Sequence, residues 1–133
     1  MALHNILGNT GEDIACRYLE ERGHKILERN WHLGHFEVDI ITLKDDLICF
    51  VEVKTRKSNK RGEPEEAVDY DKREAYIACA NAYVRSKRRY EEVRFDIIGI
   101  VASGDDYEIH YLENAFSTVR EKRRKRHEVG QVR

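Results

Sequence analysis

The chain contains 133 residues, a length that accommodates one domain with a single hydrophobic core. Hydrophobic residues make up 41% of it and charged residues 37%, and every apolar run is far shorter than the ~20 residues that cross a bilayer. The N-terminus lacks the basic and then apolar order of a signal peptide, so we expect a cytoplasmic protein without a membrane partner.

The formal net charge of −1 conceals a separation of charge along the chain. Residues 120–133 contain seven Lys/Arg and two Glu, a net charge of +5, which leaves −6 on the residues before them. We therefore predict one domain over residues 1–119 and a basic C-terminal tail over 120–133 that is partly disordered. The three cysteines fall within apolar patterns and have no metal-binding spacing, which predicts buried apolar side chains rather than a zinc site.

Hydrophobic periodicity predicts an α/β fold with the element order α-β-β-β-α-β-β-α. The first helix is predicted over residues 10–22, with Thr10 as its N-cap and Gly23 as its stop signal. Strands are predicted over 24–31, 36–43, 47–54, 93–102 and 107–112, a long helix over 71–89, and a final helix that Asn114 caps. The third and fourth strands are joined through the long helix and are expected to be parallel, whereas the hairpin before them is antiparallel. The result is a mixed sheet of about five strands flanked by helices.

The hairpin FEVDIITLKDDLICFVEVK at residues 36–54 places charged residues on strands that are otherwise apolar. If its two consecutive aspartates form the turn, alternation puts the charges on one face as two facing pairs, Asp39 with Glu52 and Glu37 with Lys54. The opposite face is then predicted to be entirely apolar, with Phe36, Val38, Ile40, Cys49, Val51 and Val53.

The facing acids predict a cation site. Two carboxylates directly across a strand pair repel by roughly 0.2–1 kcal/mol, and burial adds to this cost unless a cation lies between them. Mg²⁺ binds one or two carboxylates and retains waters, which fits Asp39 with Glu52. Lys54, on the same face, is placed to orient a nucleophile or to stabilise charge on a phosphate, and Glu12 in the first helix can reach the same cluster. The alternative is a solvated or internally paired ladder of charges in a protein-interaction domain, with no metal.

The same residues carry a resemblance to a known family. The segments GEDIA at 11–15, EVDII at 37–41, FVEVKTR at 50–56, RFD at 94–96 and NAF at 114–116 resemble the YraN-like family of uncharacterised bacterial proteins. That family is related to archaeal Holliday-junction resolvases and falls in the PD-(D/E)xK nuclease superfamily, which has a restriction-endonuclease-like fold. Val38 stands where many members of the superfamily have proline.

The resemblance implies a catalytic site that holds Mg²⁺ or Mn²⁺. It implies that Asp39 and Glu52 are catalytic residues and metal ligands, and that Lys54 is the catalytic residue that assists attack by water. Glu12 and the backbone carbonyl of Val53 are implied as further ligands. Auxiliary roles are expected for Glu37, Arg56 and Lys72.

The function that follows is metal-dependent hydrolysis of phosphodiester bonds in DNA, including structured or branched DNA. Phosphate contacts are expected from basic residues outside the centre, namely Lys57, Lys60, Arg61, Lys87 and Arg88. The alternative is a catalytically inactive nucleic-acid-binding protein on the same fold, because the superfamily includes members that have lost activity. Resolvase-like relatives also suggest a homodimer, which cutting of two strands would need.

Overall fold

The computed structural model describes residues 9–57 and 70–116, which form a five-stranded sheet with one helix on each face. In chain order the elements are α1 (Asn9–Glu21), β1 (Lys25–Leu33), β2 (Phe36–Lys44), β3 (Leu47–Lys57), α2 (Tyr70–Lys87), β4 (Glu92–Ser103) and β5 (Asp106–Phe116). The predicted α/β class and the order α-β-β-β-α-β-β are confirmed. In this described part of the chain, no helix is long and apolar enough to cross a membrane.

The strands lie side by side in the order β1-β2-β3-β4-β5, so each is a neighbour of the next along the chain. β3 and β4 are parallel and are joined through α2, whereas the other neighbouring strands are antiparallel, as predicted. β3 is the middle strand and pairs with β4 along all of its 11 residues. A charged side chain on this strand is therefore compensated by groups inside the protein or at the end of the sheet.

Helix α1 presents Glu12 to the sheet from its first turn. Ile14, Ala15 and Leu19 recur at helical spacing and are buried, which fixes the rotation of the helix on the sheet. An acid in the first turn is favoured by the helix dipole. The chain then turns at Gly23, whose φ of 93° is a left-handed conformation that glycine adopts at little cost.

Two apolar clusters cover the two faces of the sheet. The cluster on the α2 face contains Val38, Ile41, Ile48, Phe50, Tyr76, Cys79, Ala80, Tyr83, Phe95, Ile97 and Phe116. The cluster on the α1 face contains Ile14, Ala15, Cys16, Leu19, Ile40, Cys49, Val51, Ile98, Ile100 and Ala102. Because both faces are covered, the central strands are apolar on both sides. The three cysteines are free and buried in these clusters, as predicted.

Strand β2 changes face at Asp39. Phe36 and Val38 pack on the α2 face, whereas Ile40 packs on the α1 face, although simple alternation would put all three on one side. The prediction that they share one apolar face is therefore wrong. On β1, Asn30 lies between the residues that pair with Ile40 and Val38 and adopts a left-handed φ of 53°, whereas the register shift of this strand pair lies between Ile26 and Glu28. Irregularities such as that at Asn30 in a strand pair change the direction of the side chains beside them, and here the side chain is the carboxylate of Asp39.

The C-terminal end of the described chain is a strand and not a helix. β5 continues through Asn114 to Phe116, so the prediction that Asn114 caps a final helix is wrong. The backbone N–H of Asn114 donates to the buried carboxylate of Asp96 at 2.9 Å, and the ring of Phe116 stacks on Phe95 with centroids 4.7 Å apart. These two contacts hold the segment in the sheet. The predicted boundary near residue 119 and the basic tail lie outside the described residues.

Candidate metal centre

The centre lies where β2 and β3 part. The two strands pair from Lys44 with Leu47 to Ile40 with Val51, which confirms the predicted register of the hairpin. The predicted cross-strand pairs of Asp39 with Glu52 and of Glu37 with Lys54 lie beyond this ladder and are not among the strand pairs of the described chain. The fork between the strands therefore opens at the charged residues.

Asp39 bridges the opening of this fork. Its Oδ2 accepts a hydrogen bond from the backbone N–H of Val53 at 2.8 Å, so its carboxylate takes the place of a strand partner. This contact orients Asp39 towards the end of the hairpin and satisfies one backbone donor of β3. The carboxylate is thus held between the two strands of the hairpin.

Three carboxylates converge at this point. Glu12, Glu37 and Asp39 each offer an oxygen, these oxygens all lie within 4.8 Å of one another, and the three residues are half-buried. Glu12 comes from α1, and the other two come from β2, where Asp39 is the position at which the strand changes face. The structure thus brings the helix acid to the hairpin acids, and it places Glu37 in the cluster beside the predicted ligands.

Asn30 holds two of these acids together. Its Nδ2 donates to both oxygens of Glu12, at 3.1 and 3.3 Å, and to Oε2 of Glu37. Arg29 contacts Oε1 of Glu12 at 3.7 Å, and His32 lies 3.2 Å from Oε1 of Glu37. Reasoning from the sequence did not identify Asn30 as a functional residue. The sequence feature that could have indicated it is an asparagine within a strand, because asparagine tolerates the left-handed backbone observed here.

The pKa of Asp39 is raised by its buried position and by the acidic side chains around it. Burial raises this pKa to about 7, and the negative charges of Glu12, Glu52 and Glu37 act in the same direction. The hydrogen bond from Val53 opposes the shift but does not cancel it. A proton is therefore bound near neutral pH at the position where a divalent cation would relieve the same repulsion.

Glu52 is the most buried acid of the centre, with a side chain only 7% exposed. Its Oε2 lies 2.5 Å from Nζ of Lys72 and 3.8 Å from Nζ of Lys54. Its Oε1 is buried and has no hydrogen-bond partner in the described part of the chain. Tyr76 lies beside it, and the pKa of its phenol is raised well above the usual value by burial and by the charges of Glu52 and Asp39.

These donors fit a hard divalent cation. All are carboxylate oxygens, the type of ligand that Mg²⁺ and Mn²⁺ prefer. The buried Oε1 of Glu52 has an unused lone pair, and such an atom in a native structure calls for a water or an ion. Glu12, Glu37 and Asp39 would hold the ion, together with the predicted ligand Glu52 next to them. In this structure the Oε2 of Glu52 contacts lysines instead.

The other predicted residues fall into two groups. Arg56 follows Lys54 on the same face of β3, its Nη1 donates to the carbonyl of Lys57 at 3.3 Å, and Lys57 is exposed at the end of the strand. The backbone carbonyl of Val53 stays a predicted ligand. Lys60 and Arg61 lie outside the described residues.

Two basic residues are not brought to the centre. Lys87 ends α2 and Arg88 follows it, 15 residues or more from Lys72 along the chain, which corresponds to roughly 22 Å at the rise of an α-helix. Lys87 instead lies 3.8 Å from Glu28. Both remain predicted phosphate contacts, at a distance from the cluster of acids.

Fold and site together define a mixed α/β protein with carboxylates and lysines gathered at the open end of its central hairpin. The chain belongs to the Uncharacterised protein family UPF0102, whose family model matches residues 11–100. A UPF0102 protein of Bacteroides thetaiotaomicron is 43% identical over 116 residues, which cover 87% of this chain and 96% of the relative. One from Flavobacterium johnsoniae is 43% identical over 120 residues, covering 87% and 98%, and one from Syntrophomonas wolfei is 43% identical over 111 residues, covering 83% and 96%. The family to which the sequence shows a resemblance is thereby confirmed.

Proposed function

We propose that this protein is a Mg²⁺- or Mn²⁺-dependent endonuclease of the PD-(D/E)xK superfamily that hydrolyses phosphodiester bonds in DNA. The observation that carries the proposal is the cluster of three acids at the fork of β2 and β3, next to Glu52 and its two lysines. A purely structural ladder of charges would give Asp39 a basic partner as well, as Arg29 pairs with Glu12 and His32 with Glu37. Here the carboxylate oxygens of three acids lie within 4.8 Å of one another instead, and the pKa of Asp39 rises to about 7.

The roles of the residues follow from their contacts. Glu12, Glu37 and Asp39 supply a compact negative surface for a cation, which when bound would polarise the phosphate and an attacking water. Lys54 is 21% exposed, so its ammonium can contact a phosphate oxygen from the solvent side while it stays 3.8 Å from Glu52. In the reaction a water oxygen bonds to phosphorus and the bond from phosphorus to the leaving oxygen breaks. The water proton passes to solvent, and the leaving oxygen takes up a proton from solvent.

Structured or branched DNA is the proposed substrate, in the cytoplasm. The resemblance to resolvases supports this choice, and the lysines beside the acids supply the counter-charge that a phosphate backbone needs. A homodimer is also proposed, because cutting both strands of a duplex requires two such centres.

The experiment is a cleavage assay with linear, flapped and four-way-junction DNA and with RNA, in Mn²⁺, in Mg²⁺ and in chelator. We expect metal-dependent cleavage of DNA by the wild type, and a loss of at least 100-fold in Asp39→Asn and Lys54→Met, the magnitude typical of removed catalytic groups. The matched control is Glu108→Gln, an exposed acid on β5 that pairs with His110 at 3.2 Å and lies outside the cluster. Salt-dependent DNA binding without cleavage in any metal would instead identify a binding protein on this fold.

A further inference from the structure

We infer that Lys72 competes with the metal ion for the carboxylate of Glu52. When the metal ion binds to the centre, it replaces the lysine as the partner of that carboxylate. The inference rests on the proposed metal centre and goes beyond it, because it gives the centre a closed state that the chain builds from its own residues. In this state Lys72 occupies the carboxylate, and the cation has to displace it.

The geometry of Glu52 defines this closed state. Both lysines converge on the same oxygen, Oε2, with Lys72 at 2.5 Å and Lys54 at 3.8 Å, while Oε1 has no partner among the described residues. Lys72 is therefore the principal counter-ion of a side chain that is 7% exposed. Glu52 is absent from the group of three acids whose oxygens lie within 4.8 Å of one another. Its charge is directed towards α2 and not towards those acids.

A cation and the Lys72 ammonium would compete for the negative charge on Oε2 at these distances. Mg²⁺ takes oxygen ligands at about 2.0–2.1 Å, and a second positive charge beside the same oxygen would be repelled at short range. Either the ammonium withdraws or the carboxylate offers its unpartnered Oε1. In the first case the contact at 2.5 Å breaks, and in the second the cation draws on the same carboxylate charge and so weakens that contact.

Lys72 is the partner that is able to move. Its side chain is 40% exposed, and a lysine stem has several freely rotating bonds, whereas Glu52 is enclosed by the sheet. It is the third residue of α2, where the helix dipole disfavours a positive charge. The ion pair with Glu52 offsets the unfavourable interaction between the Lys72 charge and the helix dipole. Once that pair is broken, a phosphate group in front of α2 would offset the same interaction.

The test measures Mn²⁺ binding to the metal-free full chain by calorimetry, without any nucleic acid. In Lys72→Met we expect Mn²⁺ affinity about three- to tenfold higher than in the wild type, since the competing charge is gone. Lys72→Arg, which keeps the charge, should bind as the wild type does. The matched control is Lys87→Met on the same helix, because Lys87 also pairs with a glutamate, at 3.8 Å, but far from the centre.

Thermal melting supplies a second readout. Metal-free Lys72→Met should melt below the wild type, because a buried carboxylate loses its partner, and Mn²⁺ should raise its melting temperature by more than it raises that of the wild type. If Lys72→Met does not fold without metal, Lys72→Gln supplies the same comparison with a neutral hydrogen-bond donor in place of the charge.

The outcomes separate this inference from the proposed function. Equal or weaker Mn²⁺ affinity in the neutral variants overturns the exchange, even if the wild type binds metal and cuts DNA. Tighter binding in the neutral variants supports the exchange, even if no DNA is cleaved and the nuclease proposal fails. Absence of Mn²⁺ binding in the wild type and in every variant overturns both.

Discussion

At the scale of single residues, Asp39 and Glu52 are two acids of one hairpin that are stabilised in different ways. Glu52 is nearly fully buried and lies next to two ammonium groups. Asp39 has a backbone donor and three acidic neighbours, and its pKa rises to about 7. The repulsion at Asp39 can thus be relieved by a bound proton or by a bound cation. The carboxylate of Glu52 can be compensated by a lysine or by a cation.

This competition at Asp39 predicts that Mn²⁺ binding is coupled to proton release. A carboxyl with a pKa of about 7 is half protonated at neutral pH and has to ionise to bind metal, so Mn²⁺ affinity should rise as the pH increases from about 6 to about 8. Calorimetry in buffers of different ionisation heat should count about half a proton released per ion at pH 7, and fewer at higher pH.

The control for the pH effect is Glu12→Gln, which removes a neighbouring charge and lowers the pKa of Asp39 towards its ordinary value. Proton release at pH 7 should then decrease, even though one ligand has been lost. Release that is the same at pH 6 and pH 8 in the wild type would contradict the assignment of the proton to Asp39.

At the scale of elements, the centre depends on a break in the alternation of β2. Val38 packs on the α2 face and Ile40 on the α1 face, and the residue between them is the ligand that crosses to β3. Period-two reasoning assumes an unbroken strand, so it reproduced the ladder from Ile40 onwards and misplaced the residues before it. The left-handed φ of Asn30 marks the same break on β1, and nothing in the apolar pattern predicts it.

Asn30→Asp is predicted to destabilise the metal-free protein by about 1–3 kcal/mol, because a donor between two carboxylates becomes a fourth negative charge. Asp tolerates the left-handed backbone about as well as Asn does, so the effect isolates the amide. Mn²⁺ should restore more stability to this variant than to the wild type. Urea unfolding with and without Mn²⁺ measures both quantities.

The comparison variant at this position is Asn30→Gly, which keeps the backbone conformation and removes the side chain. It should lose less stability than Asn30→Asp, because it leaves the acids without a donor but adds no charge. Equal losses in the two variants would mean that the amide does not act on the carboxylates.

At the scale of the whole molecule, the element order, the sheet directions and the hairpin register could be predicted from the sequence, because each follows from apolar periodicity and chain connectivity. The partners of the charged side chains could not be predicted in the same way. Lys72 and Glu52 are 20 positions apart, and Asn30 and Glu12 are 18 apart, so their contacts depend on how helices and strands dock. The predicted strand over 107–112 is confirmed, but its extension through Asn114 to Phe116 was missed for the same reason, since a tertiary contact to Asp96 holds Asn114 there.

Asp96 shows that burial of an acid on a central strand does not by itself indicate a metal site. Its carboxylate accepts two hydrogen bonds from Arg94, at 2.8 and 2.9 Å, one from the hydroxyl of Tyr111 at 2.5 Å, and one from the N–H of Asn114. Its side chain is fully buried and its oxygens are all partnered. The acid therefore joins β4 to β5, in contrast with Asp39, whose neighbours are mostly other acids.

The contrast predicts opposite effects from the same substitution at the two aspartates. Asp96→Asn should destabilise the protein by about 3–5 kcal/mol, since the Arg94 guanidinium loses its counter-charge inside the protein, and it should leave Mn²⁺ affinity unchanged once the variant is folded. Asp39→Asn should keep or raise the stability of the metal-free protein, because a repelled charge is removed, and should abolish tight Mn²⁺ binding. Urea unfolding and calorimetry on the pair measure both effects. Loss of Mn²⁺ affinity in folded Asp96→Asn, or a large loss of metal-free stability in Asp39→Asn, would contradict this division of the acids between scaffold and centre.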